Sequence, residues 1–216
     1  MTTTTIHKFT VGPFMENTWL LIKEGKALLV DPGFSNDSEY ALLGKALASD
    51  NATLLAVVLT HAHVDHVLGL EAVLHDNPVP VYLHPADRYL WKNFAQQAAL
   101  FGFRRAGFSL DPLSLNEGST PEALKPFDFE VLYTPGHAPD HVSLVQEEEG
   151  YVLSGDLLFE SGVGRTDLYK GDAALLERSI REKLYGLPDS MRVLPGHGAE
   201  TTIGREKREN PFVRER

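Results

Sequence analysis

Residues 54–66 read LLAVVLTHAHVDH, an apolar run that ends in four closely spaced polar side chains, His61, His63, Asp65 and His66. The apolar run has the length and the valine and leucine content of a strand that is buried on both faces. The four side chains are therefore expected on a loop at the carboxyl end of that strand. Adjacent residues in a helix diverge by about 100°, so Asp65 and His66 can face one site only from a turn or a helix start.

Three more potential ligands follow at wide spacing, each directly after a strand-like segment. Residues 129–133 lead to His137, residues 151–154 to Asp156, and residues 192–194 to His197. Imidazole and carboxylate together suit zinc, iron, manganese or nickel, and seven ligands exceed what one ion needs. The sequence therefore predicts a two-metal site and, with it, a hydrolase.

Composition limits the other functions. With 216 residues and 43% apolar content, one globular domain over residues 1–216 is expected. The net charge of −10 argues against a nucleic-acid partner, because phosphate binding needs a concentrated basic surface. The basic run at residues 205–216 is interleaved with glutamates, which predicts a solvated tail.

The absence of cysteine and of long apolar segments restricts the expected metal ligands and the expected cellular location. The sequence contains no cysteine, so histidine and carboxylate must carry any metal chemistry. The N-terminal residues lack the apolar core of a signal peptide, and no stretch approaches the roughly 18 apolar residues of a membrane span. A cytoplasmic protein without a membrane partner is expected.

Short apolar segments alternate with helical patterns along the chain. Asn36 with Glu39 predicts a helix start that is followed by apolar residues at helical spacing. Asp172 is expected to cap a helix with an apolar stripe at Leu176, Ile180 and Leu184. Strands are predicted at residues 6–11, 18–22, 27–30, 54–59, 79–84, 129–133, 151–154 and 192–194, and further helices at 67–74 and 86–100. This order predicts two β-rich halves with helices outside, each placing ligands on loops at a common edge.

Four of these motifs, taken in order, resemble the metallo-β-lactamase superfamily. They are HAHVDH at residues 61–66, GH at 136–137, GD at 155–156 and PGHG at 195–198, and VDPG at 30–33 matches the turn that precedes them. The resemblance extends over about residues 17–203. It implies an α/β fold, an αββα four-layer sandwich with two mixed β-sheets flanked by helices.

Within that superfamily, the chain looks most similar to small glyoxalase II-like hydrolases, which cleave thioesters such as S-lactoylglutathione. The likeness lies in TPGHAPDH at residues 134–141, SGDLLF at 154–159, GVGRTD at 162–167 and ENPFVR at 209–214. Full-length glyoxalase II has a helical C-terminal domain that supplies much of its glutathione site. About 19 residues follow His197, so that domain is expected to be absent here and the use of glutathione stays open.

The resemblance also implies roles for the ligands. His61, His63 and His137 would bind one divalent ion, Asp65, His66 and His197 a second, and Asp156 would bridge them. Zinc is the expected metal, with iron or manganese as alternatives. Two such ions hold a shared water whose pKa falls to roughly 7 on zinc. The resulting hydroxide would attack the thioester carbonyl, with Asp65 as the catalytic residue that orients it.

Other polar residues and several aromatics are expected near the metals. His141 is expected to hydrogen-bond a ligand or a backbone carbonyl, and Asp31 to accept hydrogen bonds from loop amides. Arg165 is the candidate for a substrate carboxylate, with an ion pair to Asp167 as the alternative. A minority of the aromatic side chains should wall a substrate pocket and the rest should be core: Phe14, Trp91, Phe94, Phe101, Phe103 and Phe108.

Several alternatives share this scaffold. One is hydrolysis of a lactone or a phosphodiester, and a β-lactamase is less expected without an export signal. Another is a mononuclear iron persulfide dioxygenase, which resembles this chain at the GRTD segment and would use His61, His137 and Asp156. A metal-dependent binding module is the non-enzymatic alternative. The expected partner is a small-molecule thioester, and the oligomeric state is left open.

Overall fold

The computed structural model describes residues 3–215, so Met1, Thr2 and Arg216 lie outside it. Its first sheet has six strands in chain order. They are β1 (Thr5–Val11), β2 (Glu16–Lys23), β3 (Lys26–Val30), β4 (Thr53–Val58), β5 (Val81–Leu83) and β6 (Leu113–Ser114). β1 to β3 form an antiparallel meander, and β3 to β6 pair in parallel, so this sheet is mixed.

The second sheet has five strands and is also mixed. The remaining strands are β7 (Glu130–Tyr133), β8 (Val142–Gln146), β9 (Tyr151–Gly155), β10 (Leu158–Phe159), β11 (Gly162–Val163), β12 (Arg192–Pro195) and β13 (Thr201–Thr202). The second sheet has the order β13-β12-β9-β8-β7, in which β9 and β12 are parallel and the other pairs are antiparallel. β10 and β11 form a separate small hairpin.

Helices occupy the connections between strands. They are α1 (Asp37–Ser49), α2 (Val64–Val67), α3 (Leu70–Asp76), α4 (Tyr89–Lys92), α5 (Phe94–Leu100), α6 (Ala173–Ser179) and α7 (Ile203–Glu209). A 3-10 helix spans Glu122–Phe127, and a π-helical turn, Ile180–Leu184, continues α6. No helix of residues 3–215 has both the length and the hydropathy needed to cross a bilayer.

Alternation of side chains along the strands produces four layers. Successive residues of a strand point to opposite faces of its sheet. Leu20 of β2 packs in one cluster with Leu43 of α1, whereas its neighbour Leu21 packs with Leu144 of β8 between the two sheets. On the far side of the second sheet, Val145 shares a cluster with Leu176 of α6. The order helix, sheet, sheet, helix confirms the expected αββα sandwich.

The helix caps agree with the sequence, but one predicted helix is divided. The side chains of Asn36 and Asp172 accept the capping hydrogen bonds at the starts of α1 and α6. The prediction of one helix over residues 86–100 is wrong, because the segment forms α4 and α5. The side chain of Asn93 donates to the Tyr89 carbonyl at 2.8 Å, and the Asn93 backbone amide donates to the same carbonyl at 3.0 Å. This local bond closes α4 before α5 begins.

The C-terminal segment is folded, so the prediction of a solvated tail is wrong. Glu206 of α7 and the following Asn210 are fully buried, and Val213 is only 2% exposed. Glu206 accepts hydrogen bonds from the Thr201 hydroxyl at 2.6 Å and the Asn210 amide at 2.8 Å. The helix directs its basic residues outward and this carboxylate inward, which a count of charges along the sequence does not reveal.

Candidate metal centre

The first group of predicted ligands lies at the carboxyl end of a buried strand, as predicted from the sequence. His61 and His63 are on the loop after β4, and Asp65 and His66 are in the short helix α2. Asp31 fixes this loop, because its carboxylate accepts hydrogen bonds from the Thr60 amide at 2.7 Å and the Thr60 hydroxyl at 2.6 Å. Asp31 therefore accepts a loop amide as expected, and it also accepts a hydroxyl.

The second sheet delivers three further ligands to the same edge. His137 follows β7, Asp156 follows β9 and His197 follows β12. Because β9 and β12 are parallel, their carboxyl ends lie side by side, and the Gly196 amide donates to the Gly155 carbonyl at 2.9 Å. All seven predicted ligands thus meet between the ends of the two sheets.

Their side chains form three overlapping groups of potential ligands. Within each group, one ligand atom per residue lies within 4.8 Å of the others. The groups are His61 with His63 and His137, His61 with His66 and Asp156, and Asp65 with His66 and His197. Asp156 faces both sides of the site, since its Oδ1 is 3.3 Å from His66 Nε2 and its Oδ2 is 3.5 Å from the Nε2 atoms of both His137 and His197.

Hydrogen bonds at the outer ring nitrogens determine which inner atoms can bind a cation. His137 Nδ1 donates to the Arg165 carbonyl at 2.8 Å, so the Nε2 of a neutral His137 ring carries a lone pair. The Thr60 hydroxyl gives its proton to Asp31 and accepts from His61 Nδ1 at 3.0 Å, which likewise leaves a lone pair on His61 Nε2. These two Nε2 atoms lie 3.2 Å apart. His63 Nδ1 also faces this point, 2.8 Å from His137 Nε2, so three imidazole nitrogens converge where a cation can bind.

On the other side of the site, the imidazole nitrogens face carboxylates. His66 Nδ1 is 2.9 Å from Asp31 Oδ2, and His197 Nδ1 donates to the Phe14 carbonyl at 3.1 Å. Both Nε2 atoms therefore point at carboxylate oxygens of Asp65 and Asp156. His63 Nε2, His66 Nε2 and Asp156 Oδ1 are buried without a hydrogen-bond partner. The donor set fits divalent metal ions.

The pKa values of the histidines differ between the two sides of the site. Burial lowers the pKa of His63 to about 3 and lowers the pKa of His61 well below its ordinary value, so these rings are neutral. Burial also acts to lower the pKa of His197, but Asp156 and Asp65 outweigh it and raise the value to about 9. Cation binding at His197 therefore displaces a proton.

Glu16 also belongs to the surroundings of the site, and no pattern in the sequence pointed to it. Its carboxylate is 1% exposed, with Oε1 at 3.9 Å from His66 Nδ1 and Oε2 at 2.8 Å from the Thr18 hydroxyl. A Cβ at Gly33 would lie 2.2 Å from Glu16 Oε2 and 2.5 Å from the Asp65 carbonyl. This close approach explains the glycine of the VDPG turn.

His141 acts on a ligand through the backbone. Its Nε2 accepts the Asp156 backbone amide at 3.0 Å, and its Nδ1 lies 2.9 Å from the Thr134 hydroxyl. His141 thus hydrogen-bonds a predicted ligand residue, through the backbone amide of Asp156. Burial lowers the pKa of His141 well below its usual value, in agreement with a neutral ring that accepts this bond.

A cavity of about 630 Å³ opens directly over the predicted ligands. Phe14 and Phe101 line it, whereas Trp91 and Phe94 are core residues on which Phe108 stacks, and Phe103 packs against the same core. Arg165 also lines the cavity, but Asp167 holds its guanidinium through two hydrogen bonds of 2.7 Å. The ion pair expected as the alternative is therefore the one present.

Comparison with known proteins places this geometry in a family. Residues 11–197 match the model of the metallo-β-lactamase superfamily. The chain belongs to the metallo-β-lactamase superfamily. Within this superfamily the cluster of histidines and aspartates described above is a metal-binding site, and the hydrolase class expected from the sequence agrees with the family.

Two curated relatives cover almost the whole chain. A probable metallo-hydrolase, YqgX of Bacillus subtilis (strain 168), is 39% identical over 94% of each chain. Hydroxyacylglutathione hydrolase GloC of Haemophilus influenzae (strain ATCC 51907 / DSM 11121 / KW20 / Rd) is 35% identical over 94% of this chain and 95% of its own.

Two solved structures of this superfamily superpose closely. BLEG-1 B3 metallo-β-lactamase is 37% identical with a TM-score of 0.86, over 97% of this chain and 99% of that one. TTHA1623 in a di-iron-bound form is 38% identical with a TM-score of 0.85, over 96% of this chain and 100% of that one. The di-iron form bears on which metal this site takes, and zinc is therefore one candidate among several.

Proposed function

We propose that this protein is a dinuclear metal-dependent hydrolase that cleaves thioesters, as glyoxalase II-like enzymes do. The observation that carries the proposal is the position of Asp156, whose carboxylate lies between the two donor sets: its Oδ2 is 3.5 Å from the Nε2 atoms of both His137 and His197, and its Oδ1 is 3.3 Å from His66 Nε2. One carboxylate between two donor sets is the arrangement that a pair of ions requires. The similarity to a protein named hydroxyacylglutathione hydrolase supports the choice of thioesters.

Each residue has a defined role in the proposed site. His61, His63 and His137 would hold one ion, and Asp65, His66 and His197 would hold the other. Bound divalent ions supply a water of lowered pKa and polarise the substrate carbonyl. His66 keeps its orientation through Asp31, and His137 through the Arg165 carbonyl. No side-chain nucleophile is required.

Asp65 is placed to orient the attacking water. Burial acts to raise the pKa of Asp65, but the nearby His66 and His197 outweigh it, so the pKa is lowered and the carboxylate is ionised. The side chain lines the cavity and its Oδ2 is 3.3 Å from His197 Nε2. An ionised carboxylate here can accept a hydrogen bond from the water that adds to the carbonyl carbon.

Elemental analysis of protein purified without affinity metals, followed by a substrate panel, tests the proposal. We expect about two divalent ions per chain and release of thiol from a thioester panel that includes S-lactoylglutathione. Asp65→Asn should lower both metal content and turnover, whereas Asp189→Asn, at an exposed carboxylate paired with Lys207, should change neither.

Specific results would contradict the proposal. One iron per chain with oxygen consumption on a persulfide would identify a dioxygenase. Turnover of lactones, phosphodiesters or β-lactams in place of thioesters would assign another hydrolysis to the same scaffold. Full turnover by Asp65→Asn at full metal occupancy would remove Asp65 from its catalytic role.

A further inference from the structure

Exposed apolar side chains concentrate at the cavity over the metal site. Eight large apolar residues of the described chain are exposed, and four of them line this cavity. The four are Tyr89 (47%), Leu100 (84%), Phe101 (56%) and Leu168 (41%). A contiguous group of exposed apolar side chains marks a binding site more often than an accident of the surface.

Aromatic pairs continue the apolar lining within the cavity. Phe14 meets Phe101 edge to face, with ring centroids 4.8 Å apart, and Tyr89 stacks on Tyr169 at 4.0 Å. Phe14 also adjoins the metal site directly, because its carbonyl accepts the His197 Nδ1 hydrogen bond. An apolar group of a substrate held by these rings would therefore lie next to the predicted metal ligands.

Two cationic side chains at the cavity, Arg165 and Lys170, are already engaged by aspartates. Among the described residues that line the cavity, Arg165 is the only lysine or arginine. Asp167 accepts hydrogen bonds from two nitrogens of its guanidinium. Lys170, next to the lining residue Tyr169, is bound to Asp87 at 2.8 Å. The net charge of −10 further disfavours anions far from the metals. A glutathione group carries carboxylates, and among the described lining residues no lysine or arginine is left unpaired to bind them.

We propose that the natural substrate is a thioester whose non-reacting part is neutral and apolar, an alkyl chain or an aromatic ring, in preference to a glutathione thioester. This inference rests on the proposed thioester hydrolysis and names its substrate class. The apolar group occupies the space between Phe14, Phe101 and the Tyr89–Tyr169 pair. A volume of about 630 Å³ accommodates such a group together with the reacting carbonyl.

Hydrolysis of matched thioesters by the metal-loaded protein provides the first test. Hexanoyl-N-acetylcysteamine should exceed acetyl-N-acetylcysteamine in kcat/KM by between about tenfold and a few hundredfold, since each methylene that leaves water contributes up to about fourfold. S-hexyl thioacetate places the same chain on the thiol side and shows which side of the thioester the cavity binds. Hexanoyl-glutathione should be no better than its N-acetylcysteamine counterpart.

Binding of non-hydrolysable thioethers provides a readout without turnover. In calorimetric titrations, S-hexyl-N-acetylcysteamine should bind more tightly than S-hexylglutathione and with a negative heat-capacity change. Leu100→Ser and Phe101→Ser should each weaken the hexyl compound by about three- to tenfold, part of the effect of burying a whole apolar side chain. Phe212→Ser removes an exposed aromatic that does not line the cavity, and should leave binding unchanged.

The outcomes separate the two proposals. Thioester turnover that is independent of chain length, or that favours glutathione thioesters at least tenfold, would overturn the substrate class and leave thioester hydrolysis intact. Tight apolar binding with no turnover of any thioester would overturn the proposed function while supporting an apolar ligand. Equal effects of the Phe101 and Phe212 variants on binding of the hexyl compound would show that the cavity does not bind the apolar group.

Discussion

Asp140 is a buried carboxyl close to the metal site, and its replacement by asparagine should change how stability depends on pH. The side chain is 0% exposed. Burial raises its pKa from the ordinary 3.8 to about 7, although the backbone amides of Asp140 and Ala62 and the Arg88 guanidinium act in the opposite direction. Ala62 lies between two predicted ligands, so the charge of Asp140 bears on the same loop.

The sign and the size of the expected stability change follow from proton linkage. Between pH 3.8 and about 7, the folded state keeps the Asp140 proton and the unfolded state has lost it. The contribution of Asp140 to the free energy of unfolding is therefore fully present below the unfolded pKa and is lost as pH rises through the folded pKa. The interval corresponds to about 4 kcal/mol at 1.36 kcal/mol per pKa unit. An asparagine side chain carries no proton to lose, so the stability of Asp140→Asn relative to the natural protein should rise by about that amount.

Urea unfolding of the metal-free protein at several values between pH 4 and 8.5 measures this difference. The natural protein and Asp140→Asn are compared at each pH, so that titration of all other groups cancels. Asp189→Asn is the control, because Lys207 lowers the pKa of that exposed carboxyl below its ordinary 3.8, so it is ionised in both states over most of the range and the difference should stay nearly constant. A difference that stays constant across the range would show that Asp140 titrates normally in the folded state.

Three further replacements have effects that the structure fixes. Asp31→Asn weakens the hold on His66 Nδ1, now 2.9 Å away, and should lower metal affinity by roughly 10- to 100-fold in competition with a chromophoric chelator; affinity equal to that of the natural protein would contradict this role. Gly136→Ala places a Cβ 2.3 Å from the Leu176 amide at a φ of +134°, and should cost about 2 kcal/mol or more in urea unfolding, whereas Gly107→Ala, with open space around it, should cost little. Glu206→Ala leaves the Thr201 hydroxyl and the Ser161 amide without their acceptor and should cost about 3 kcal/mol, against less than about 0.5 for the exposed Glu209→Ala; similar losses for both would refute the inward role of Glu206.

The sequence was sufficient to predict features that depend on residues close together in the chain. Ligand types that follow a buried strand mark the edge of a sheet, and for this reason the positions of His61, His137, Asp156 and His197 could be anticipated. The fold followed from the same pattern together with the family resemblance. Caps such as Asn36 were also correct, since the capping bond joins residues only three apart.

The errors arose where individual side-chain contacts decide, one of them local and the others tertiary. Asn93 lies between α4 and α5 and its side chain adds a second hydrogen bond to the Tyr89 carbonyl, which periodicity does not detect. Glu206 stands in a basic run yet is buried against partners on other segments. Glu16 has no neighbouring ligand in the sequence and reaches His66 only after the strands assemble. Burial of a lone carboxylate depends on which distant segments surround it.

The ligands come from loops of two different sheets, so bound ions would also act as reversible cross-links between the halves of the chain. Asp65 and His66 belong to the first half and His197 to the second, with His197 Nε2 only 3.3 Å from Asp65 Oδ2. An ion that binds only the folded state stabilises it by about 2.7 kcal/mol at a concentration of 100 times its Kd. Removal of metal would release this cross-link first at the loop ends, while the hydrophobic layer between the sheets stays in place. Metal supply would then govern how long the chain resists unfolding and proteolysis as well as whether it reacts.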